Sequence, residues 1–395
     1  MKTSAIEVTA NEGYKSLVPG FGGRISAALV WDGAGEVKVP SCMGNPREDQ
    51  MQGTARERLV ELAGRVCYDS LGKGRSSKDY AAHLLQVGHL SVLEHAYCTV
   101  EFDLGTGASF SVLSSRFLNR PSLWVRETDK SVRVTLNLRH LREFEGHKEL
   151  APESASFGLW ALLREATHEL APSLLMGYCG SDRVRAGKAV WGVTNVCLVE
   201  PETDEEKWVT LYLTGSRGWS HELVRHGDWT AISQRSTRYV DESESEWVLH
   251  PLLAKFLSAP GGVALGADQT VHEACERVAM HAKTSYDIVR GQLEAMLLSH
   301  GVDKMSARKQ ARGAARGLLG NALETEVIFS ASIAEWRHML SMRAADAADA
   351  EIRLGFAEAV LPCLRSSRYG DRFADFELVP ASDGIGRSLR GGGHK

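Results

Sequence analysis

Four segments of the chain concentrate arginine, histidine and serine in patterns suited to an anionic ligand. In S-R-G-W-S-H-E-L-V-R-H, residues 216–226, a helix-like stretch delivers Arg225 and His226 into the polar loop T-A-I-S-Q-R-S-T-R-Y, residues 230–239. Serine hydroxyls and a forked guanidinium, here Ser236 and Arg238, suit phosphate oxygens better than lysine does, because the fork donates two parallel hydrogen bonds. The competing reading is a helix end running into a solvated loop. The second segment repeats a cation every four residues at Lys304, Arg308, Arg312 and Arg316, so all four share one helical face. Lys304 and Arg308 read as a solvated face, whereas Arg316, flanked by Ala315, Leu318 and Leu319, should emerge beside packed structure. In the third, A-E-W-R-H-M-L-S-M-R, Arg343 falls on the apolar stripe of Trp336, Met339 and Leu340. An arginine there is costly to bury unpaired and wants an anionic or carbonyl partner; Asp346 or Glu351 could serve as an internal one. The fourth, G-H-L-S-V-L-E-H, sets Ser91, Glu94 and His95 at a loop-to-strand junction, where a lone histidine is more often structural.

Other chemistries find little support. His221-Glu222…His226 places the second histidine at i+5, not the i+4 of a zinc-binding H-E-x-x-H helix. Seven cysteines, odd in number and without a C-x-x-C, suggest neither a zinc site nor a disulfide framework, and are expected as buried thiols. No metal ligand set is expected. A net charge of −4 argues against generic nucleic-acid affinity, so an anion must be met by local arginine. No apolar run approaches the roughly 20 residues that span a bilayer. The first residues lack the order of a signal peptide, which makes the cytoplasm the default expectation.

The elements that must position these residues are mixed helix and strand. Residues 1–55, rich in Gly, Pro and small side chains, read as an irregular arm or a few strands. Helical spacing begins at Thr54 with Leu59, Leu62 and Val66, and a second helix spans 77–86 with Ser76 or Ser77 as N-cap. Alternation over 95–104 predicts a strand. A strand at 131–136 leads into a helix through Phe144, and 156–171 is an amphipathic helix. A strand at 208–213 precedes a helix at 219–226. Long helices follow at 268–299 and 304–319. A strand at 326–330 then runs into helices at 334–343 and 347–361. The tail G-I-G-R-S-L-R-G-G-G-H-K reads as disordered.

Taken together and in order, the four segments resemble the flavin-dependent thymidylate synthases, also called thymidylate synthase complementing proteins, over residues 56–102 and 208–361. S-R-G-W-S-H-E-L-V-R-H with S-Q-R-S-T-R-Y is similar to that family's R-H-R-x-x-S-x-(N/S)-(E/Q)-x-S-x-R-Y signature. The resemblance implies an α+β fold with a mixed or antiparallel sheet and long helices. It further implies methylation of dUMP at C5 with FAD as cofactor, and methylenetetrahydrofolate and NADPH as co-substrates. Carried over, Glu222, Gln234, Ser236, Thr237, Arg238 and Arg316 would hold the nucleotide. Arg343 would polarise the pyrimidine as the catalytic residue. Arg225, His226, Ser233, His338 and His95 would line the flavin. A homo-oligomer is implied, because the family builds its sites across subunits.

The chain departs from the pattern in several places. Gly227-Asp228 follows Arg225-His226 where a second arginine is expected, and the spacing to Ser236 is one residue longer. The Asn and Arg of the family's N-x-R-x-L-x-x-F helix are Ser332 and Ala334, and Ala347 replaces a histidine. Residues 103–207 are extra. Within them, A-S-F-S-V-L-S-S-R-F (108–117) echoes the signature's spacing, and V-T-L-N-L-R-H-L-R-E-F (134–144) resembles the missing helix, with Asn137 and Arg139 as its cofactor residues. The expectation is a degenerate internal duplication, a pseudo-dimer. Its organisation would be an arm to residue 55, a first half over 56–194, a second over 195–378 and a disordered tail over 379–395; an ordinary surface insertion is the alternative. The departures leave open a related modification of UMP, or a catalytically silent nucleotide-binding paralogue.

Overall fold

The computed structural model describes residues 7–12, 18–106, 108, 110–115, 122–151, 153–175, 177–227, 229–258 and 267–392. The N-terminal stretch contributes strands to the core: β1 (Glu7–Thr9) pairs with β2 (Ser26–Trp31), whose six residues are all buried. Thr54 opens α1 (Ala55–Tyr68) by exchanging hydrogen bonds with Glu57, a reciprocal cap that satisfies two otherwise orphaned N–H groups. Ser76 caps α2 (Ser77–Gln86), and a 3-10 turn over Leu90–His95 leads into β3 (Tyr97–Leu104).

Next come α3 (Phe110–Ser115), β4 (Trp124–Glu127), β5 (Ser131–Asn137) and α4 (Leu138–Phe144). Then α5 (Ala155–Thr167), α6 (Ser181–Trp191) and β6 (Val193–Val199) complete a four-stranded antiparallel sheet of order β4-β5-β3-β6. β6 crosses the boundary drawn at residue 194. A second sheet, order β1-β2-β7-β9-β8, uses β7 (Trp208–Ser216), followed by α7 (Arg217–Leu223) and β8 (Thr230–Gln234). An excursion through α8 (Pro251–Ser258), α9 (Ala267–Ser299) and α10 (Lys304–Ala315) separates β8 from its partner β9 (Glu324–Ser332).

Val327, Phe329 and Ala331 of β9 enter one core with Trp336 and Met339, while Ile328 enters another with Tyr212 and the whole first sheet. That period of two means the second sheet is buried on both faces. After β9 come α11 (Ile333–Arg343), α12 (Ala350–Gly355), a π turn over Phe356–Val360, α13 (Leu361–Arg365) and the hairpin β10 (Glu377–Pro380) with β11 (Arg387–Arg390). The hairpin corrects the expected disorder of the tail. Composition missed it because Ile385 and Ser388 are buried and the Leu389 N–H donates to the Ala344 carbonyl at 2.8 Å. The cysteines differ as well: Cys67, Cys98 and Cys363 are buried, Cys179, Cys197 and Cys275 half-buried, and Cys42 exposed.

The four strands of the first sheet match four of the five strands of the second. β4-β5-β3-β6 has the order and pairing sense of β8-β9-β7-β2. Tyr97 pairs with Asn137 at one end of β3–β5, and Trp208 with Ser332 at the same end of β7–β9. Asn137 caps α4 by accepting from the N–H of His140, and Ser332 caps α11 by accepting from the N–H of Glu335. The Leu138 N–H donates to the Ala96 carbonyl at 3.0 Å, and the Ile333 N–H to the Lys207 carbonyl at 2.8 Å. By this register 134–144 is the structural counterpart of the β9–α11 junction. The echo in 108–117 is not a counterpart of the signature loop: Phe110–Ser115 form α3, which lies between β3 and β4 as α7 lies between β7 and β8. Arg116 and Phe117 of that echo lie outside the described residues.

Candidate active site

Two clusters of the expected residues lie at opposite ends of β8. At its start, Ser216 opens α7 by accepting from the Trp219 N–H, and the helix carries Glu222 in its last turn, ends at Leu223 and hands the chain to Arg225 and His226. α11 buries Trp336, Met339 and Leu340 and thereby presents Arg343 from its last turn. Nη1 of Arg343 donates to Glu222 Oε2 at 2.5 Å, and its Nε to His226 Nε2 at 3.0 Å. A guanidinium can only donate, so Nε2 is the acceptor nitrogen and Nδ1 carries the proton, which it gives to Glu335 Oε1 at 3.0 Å. Glu335, His226, Arg343 and Glu222 thus form one connected chain. His338 lies edge-on to His226 with ring centroids 5.8 Å apart. Arg225, 66% exposed, pairs with Glu222 at 3.4 Å. The suggested internal partners of Arg343 are occupied elsewhere: Asp346 accepts from the Ser382 N–H and Glu351 from the Ser216 N–H.

Beyond the other end of β8, the Ser236 N–H donates to the Cys67 carbonyl at 3.0 Å, tying the signature loop to α1. Arg238 and Lys309 approach the ring of Tyr239, at 5.8 and 5.1 Å from its centroid. Hydrogen bonding to Lys309, with Arg238 nearby, lowers the Tyr239 phenol below its ordinary range. Tyr68 packs edge-on to Tyr239 at 4.9 Å. A cavity of about 500 Å³ opens beside them, lined by Tyr68, Arg75, Tyr80, His83, Tyr239 and Lys309 among others. A second of about 390 Å³ adjoins it at Lys309 and Ser306 and takes in Arg238. Arg316 is exposed just after α10. Arg312 binds Asp241 at 3.3 Å and Arg308 binds Glu294 at 3.1 Å, so α10 divides its cations between internal partners and the open cleft.

Several expected residues have other work. His95 is buried, and its two ring nitrogens lie 2.8 Å from Ser330 Oγ and 2.9 Å from Ser233 Oγ, so it staples the first sheet's lead-in to the second sheet. Burial holds its pKa down to about 3, so the ring is neutral. His95 and Ser233, both expected to line the flavin, are hydrogen-bonded to each other. Gln234 donates to Ser220 Oγ at 2.8 Å and Thr325 Oγ1 at 3.2 Å. Thr237 is buried. Asn137 caps α4 and donates to the Tyr97 hydroxyl at 3.4 Å. Arg139 pairs with Glu94 and Glu143. Asp228 lies outside the described residues.

Three residues passed over in the sequence stand out. Glu335 orients His226, yet an acidic residue in a first helical turn reads as a dipole contact. Lys309 was hidden by the arginines of its own helix. Arg217 has a buried Nη1 without a hydrogen-bond partner, and burial, opposed by Glu242 and reinforced by Arg316, pushes its pKa down. An arginine left short of partners beside another arginine suits an anion. Among the described residues, His226, Glu335 and His338 bring ligand-type atoms within 4.8 Å of one another. Both ring nitrogens of His226 are engaged there, Nε2 by Arg343 and Nδ1 by Glu335.

Comparison with known families decides the grouping. The family model described as thymidylate synthase complementing protein matches residues 50–133 and 205–366, well over half the chain. The chain belongs to this family. Flavin-dependent thymidylate synthases of Mycobacterium sp. (strain KMS) and Mycobacterium avium (strain 104) are each 36% identical, over 186 and 188 residues. That of Mycobacterium tuberculosis (strain ATCC 25177 / H37Ra) is 34% identical over 183. Each alignment covers 46% of this chain and 66% of the relative, so the chain spans just under two thirds of these relatives' length. The family match resumes at residue 205 and so includes both clusters at the ends of β8. No helix among the described residues is long and apolar enough to cross a membrane.

Proposed function

We propose that this family member methylates a uracil nucleotide at C5, converting dUMP to dTMP, with FAD as cofactor and methylenetetrahydrofolate and NADPH as co-substrates. The observation that carries the reading is Arg343, clamped by Glu222 and His226 at the end of α11. A guanidinium fixed from two sides is pre-organised to donate to a pyrimidine carbonyl, and a preset donor stabilises charge that develops there without reorganising. Ser236, Arg238 and Arg316, with Arg217 and Lys309 beside them, form the seat for the nucleotide phosphate.

The residues around His226 suit a flavin. Arg225 is largely exposed, the rings of His226 and His338 offer faces and edges, and at Gly227 a Cβ would meet nothing within 4 Å, so the approach is open. Arg225, His226 and His338 would hold the cofactor, with Arg139 as a contributor from α4. Bound there, FAD would supply the electrons that turn a transferred methylene into a methyl group. Cys67, beneath the loop, is no rival nucleophile, because burial raises its thiol to about 11.

The five residues of β8 hold the two clusters roughly 15 Å apart, at about 3.4 Å per residue. A second copy of the chain would bring the phosphate seat of one protomer to the Arg343 cluster of the other, which supports the homo-oligomer. The test is incubation with FAD, NADPH, labelled methylenetetrahydrofolate and either dUMP or UMP. Label is expected in the product from dUMP. Label from UMP alone would replace the substrate, and label from neither, with no flavin absorbance after reconstitution, would overturn the reading.

A further inference from the structure

The strand-for-strand match and the contacts across it carry a further inference. The rings of Tyr97 and Trp208, which hold the same place at the head of β3 and β7, stack on each other with centroids 3.3 Å apart and planes 12° apart. Two equivalent residues meet face to face in this way when they lie on a twofold axis. The next contact out is reciprocal. His95, two residues before Tyr97, reaches across to Ser233 on β8. Glu206, two residues before Trp208, reaches back to Arg126 on β4, accepting from its Nε at 2.9 Å. Ser233 and Arg126 are counterparts by register: Ser233 pairs with Ile328, four residues before Ser332, and Arg126 with Arg133, four before Asn137.

We propose that the chain is two copies of one folding unit about an internal pseudo-twofold axis, and that only the second copy keeps a nucleotide site, so each chain binds one nucleotide where two equivalent places exist. The part concerning the nucleotide rests on the proposed function; the axis does not. Among its described residues, the first copy has no counterpart of the phosphate seat. Between β4 and β5 the chain turns back at once, the Thr128 N–H donating to the Ser131 carbonyl at 2.9 Å. Between β8 and β9 the same place opens into the signature loop and the α8–α10 excursion. The counterparts of Glu335 and His338 in α4 are His140 and Glu143. His140 Nδ1 accepts from the Asn137 N–H and Glu143 pairs with Arg139. Where Ser233 meets a neutral imidazole, Arg126 joins a buried ion cluster: Arg133 donates to Glu206 Oε2 at 3.1 Å and Glu202 Oε1 at 2.7 Å, and the Glu206 carboxylate is fully shielded from solvent.

Two experiments separate the parts. Calorimetric titration of the FAD-loaded protein with dUMP is expected to saturate at one equivalent per chain, and Arg238→Ala to weaken that one binding event by about 10–100-fold. Two equivalents, or half the binding surviving in R238A, would overturn the single-site claim. If dUMP does not bind at all, the functional reading fails with it, and the axis is decided without ligand. Glu206→His and Arg126→Ser transplant the His95–Ser233 pair onto its counterpart. Each single variant should lower Tm, and the double variant should melt above E206H, because the imidazole regains a hydroxyl partner. A double variant melting at or below both singles would overturn the twofold equivalence.

Discussion

The hairpin β4–β5 and its counterpart β8–β9 share register, flanking helices and caps, and differ in what joins the strands. A tight turn closes the first, while the second is held apart by the signature loop and three helices. The scaffold is thus the same on both sides, and the proposed site sits in the insertion and in the last turns of the helices around it. In the first copy buried positions at the junction have been given over to ion pairs, which hold the sheets together. Shared topology places a site, and a few side chains at strand and helix ends decide whether the site exists.

The contrast is broken most severely through Arg343. Arg343→Ala should cut kcat by about 10²–10³-fold, the scale of losing one preset donor to developing charge, with circular dichroism unchanged. Should R343A stay within tenfold of wild type, the second copy would not be the working one. Arg238→Ala should act on binding: KM for the nucleotide rises by roughly 10–100-fold, corresponding to about 1.5–3 kcal/mol for a charge-assisted contact, while kcat moves little. A drop in kcat with KM constant would place Arg238 with Arg343 instead.

His95 sharpens the comparison through pH. Its folded pKa, about 3, lies below the ordinary 6.5. The unfolded chain therefore binds the extra proton, and the contribution of the neutral ring to stability is full above about pH 6.5 and is lost as pH falls towards 3. Tm of the wild type should decline more steeply over that window than Tm of His95→Gln; equal slopes would mean that another group governs acid sensitivity. The smallest effect is expected in the first copy. Lys148, half-buried in the turn after α4 and paired with Glu149 at 3.7 Å, stands where the register would put an Arg343, and Lys148→Ala should cost no more than about 1 kcal/mol of stability and leave kcat unchanged. A tenfold loss of activity in K148A would show that the first copy takes part after all.

Much of this was legible in the residues. The α+β class, most of the helices, and the arginines and histidines of the second copy follow from periodicity and from the four polar segments. Three things were not legible, for physical reasons. Strand partners are long-range, so nothing near residues 26–31 says that they pair with β7, and the N-terminal stretch reads only as an irregular arm or a few strands. Disorder was expected of the tail from its glycines and charges, but a hairpin needs few buried side chains once its backbone is paired. His95 sits in a recognisable motif, yet its burial between Ser233 and Ser330 depends on how two sheets meet, which no local pattern encodes. The echo in 108–117 matched spacing alone; spacing without register put it opposite a loop when its place is a helix.

The stack of Tyr97 on Trp208 joins two parts of one polypeptide. A contact of this kind between separate subunits weakens on dilution, whereas here the connecting chain sets a fixed effective concentration and the rings meet at any protein level. Covalent joining also frees the two sides from copying each other: a substitution at Tyr97 is not repeated at Trp208, and each face of the junction changes alone.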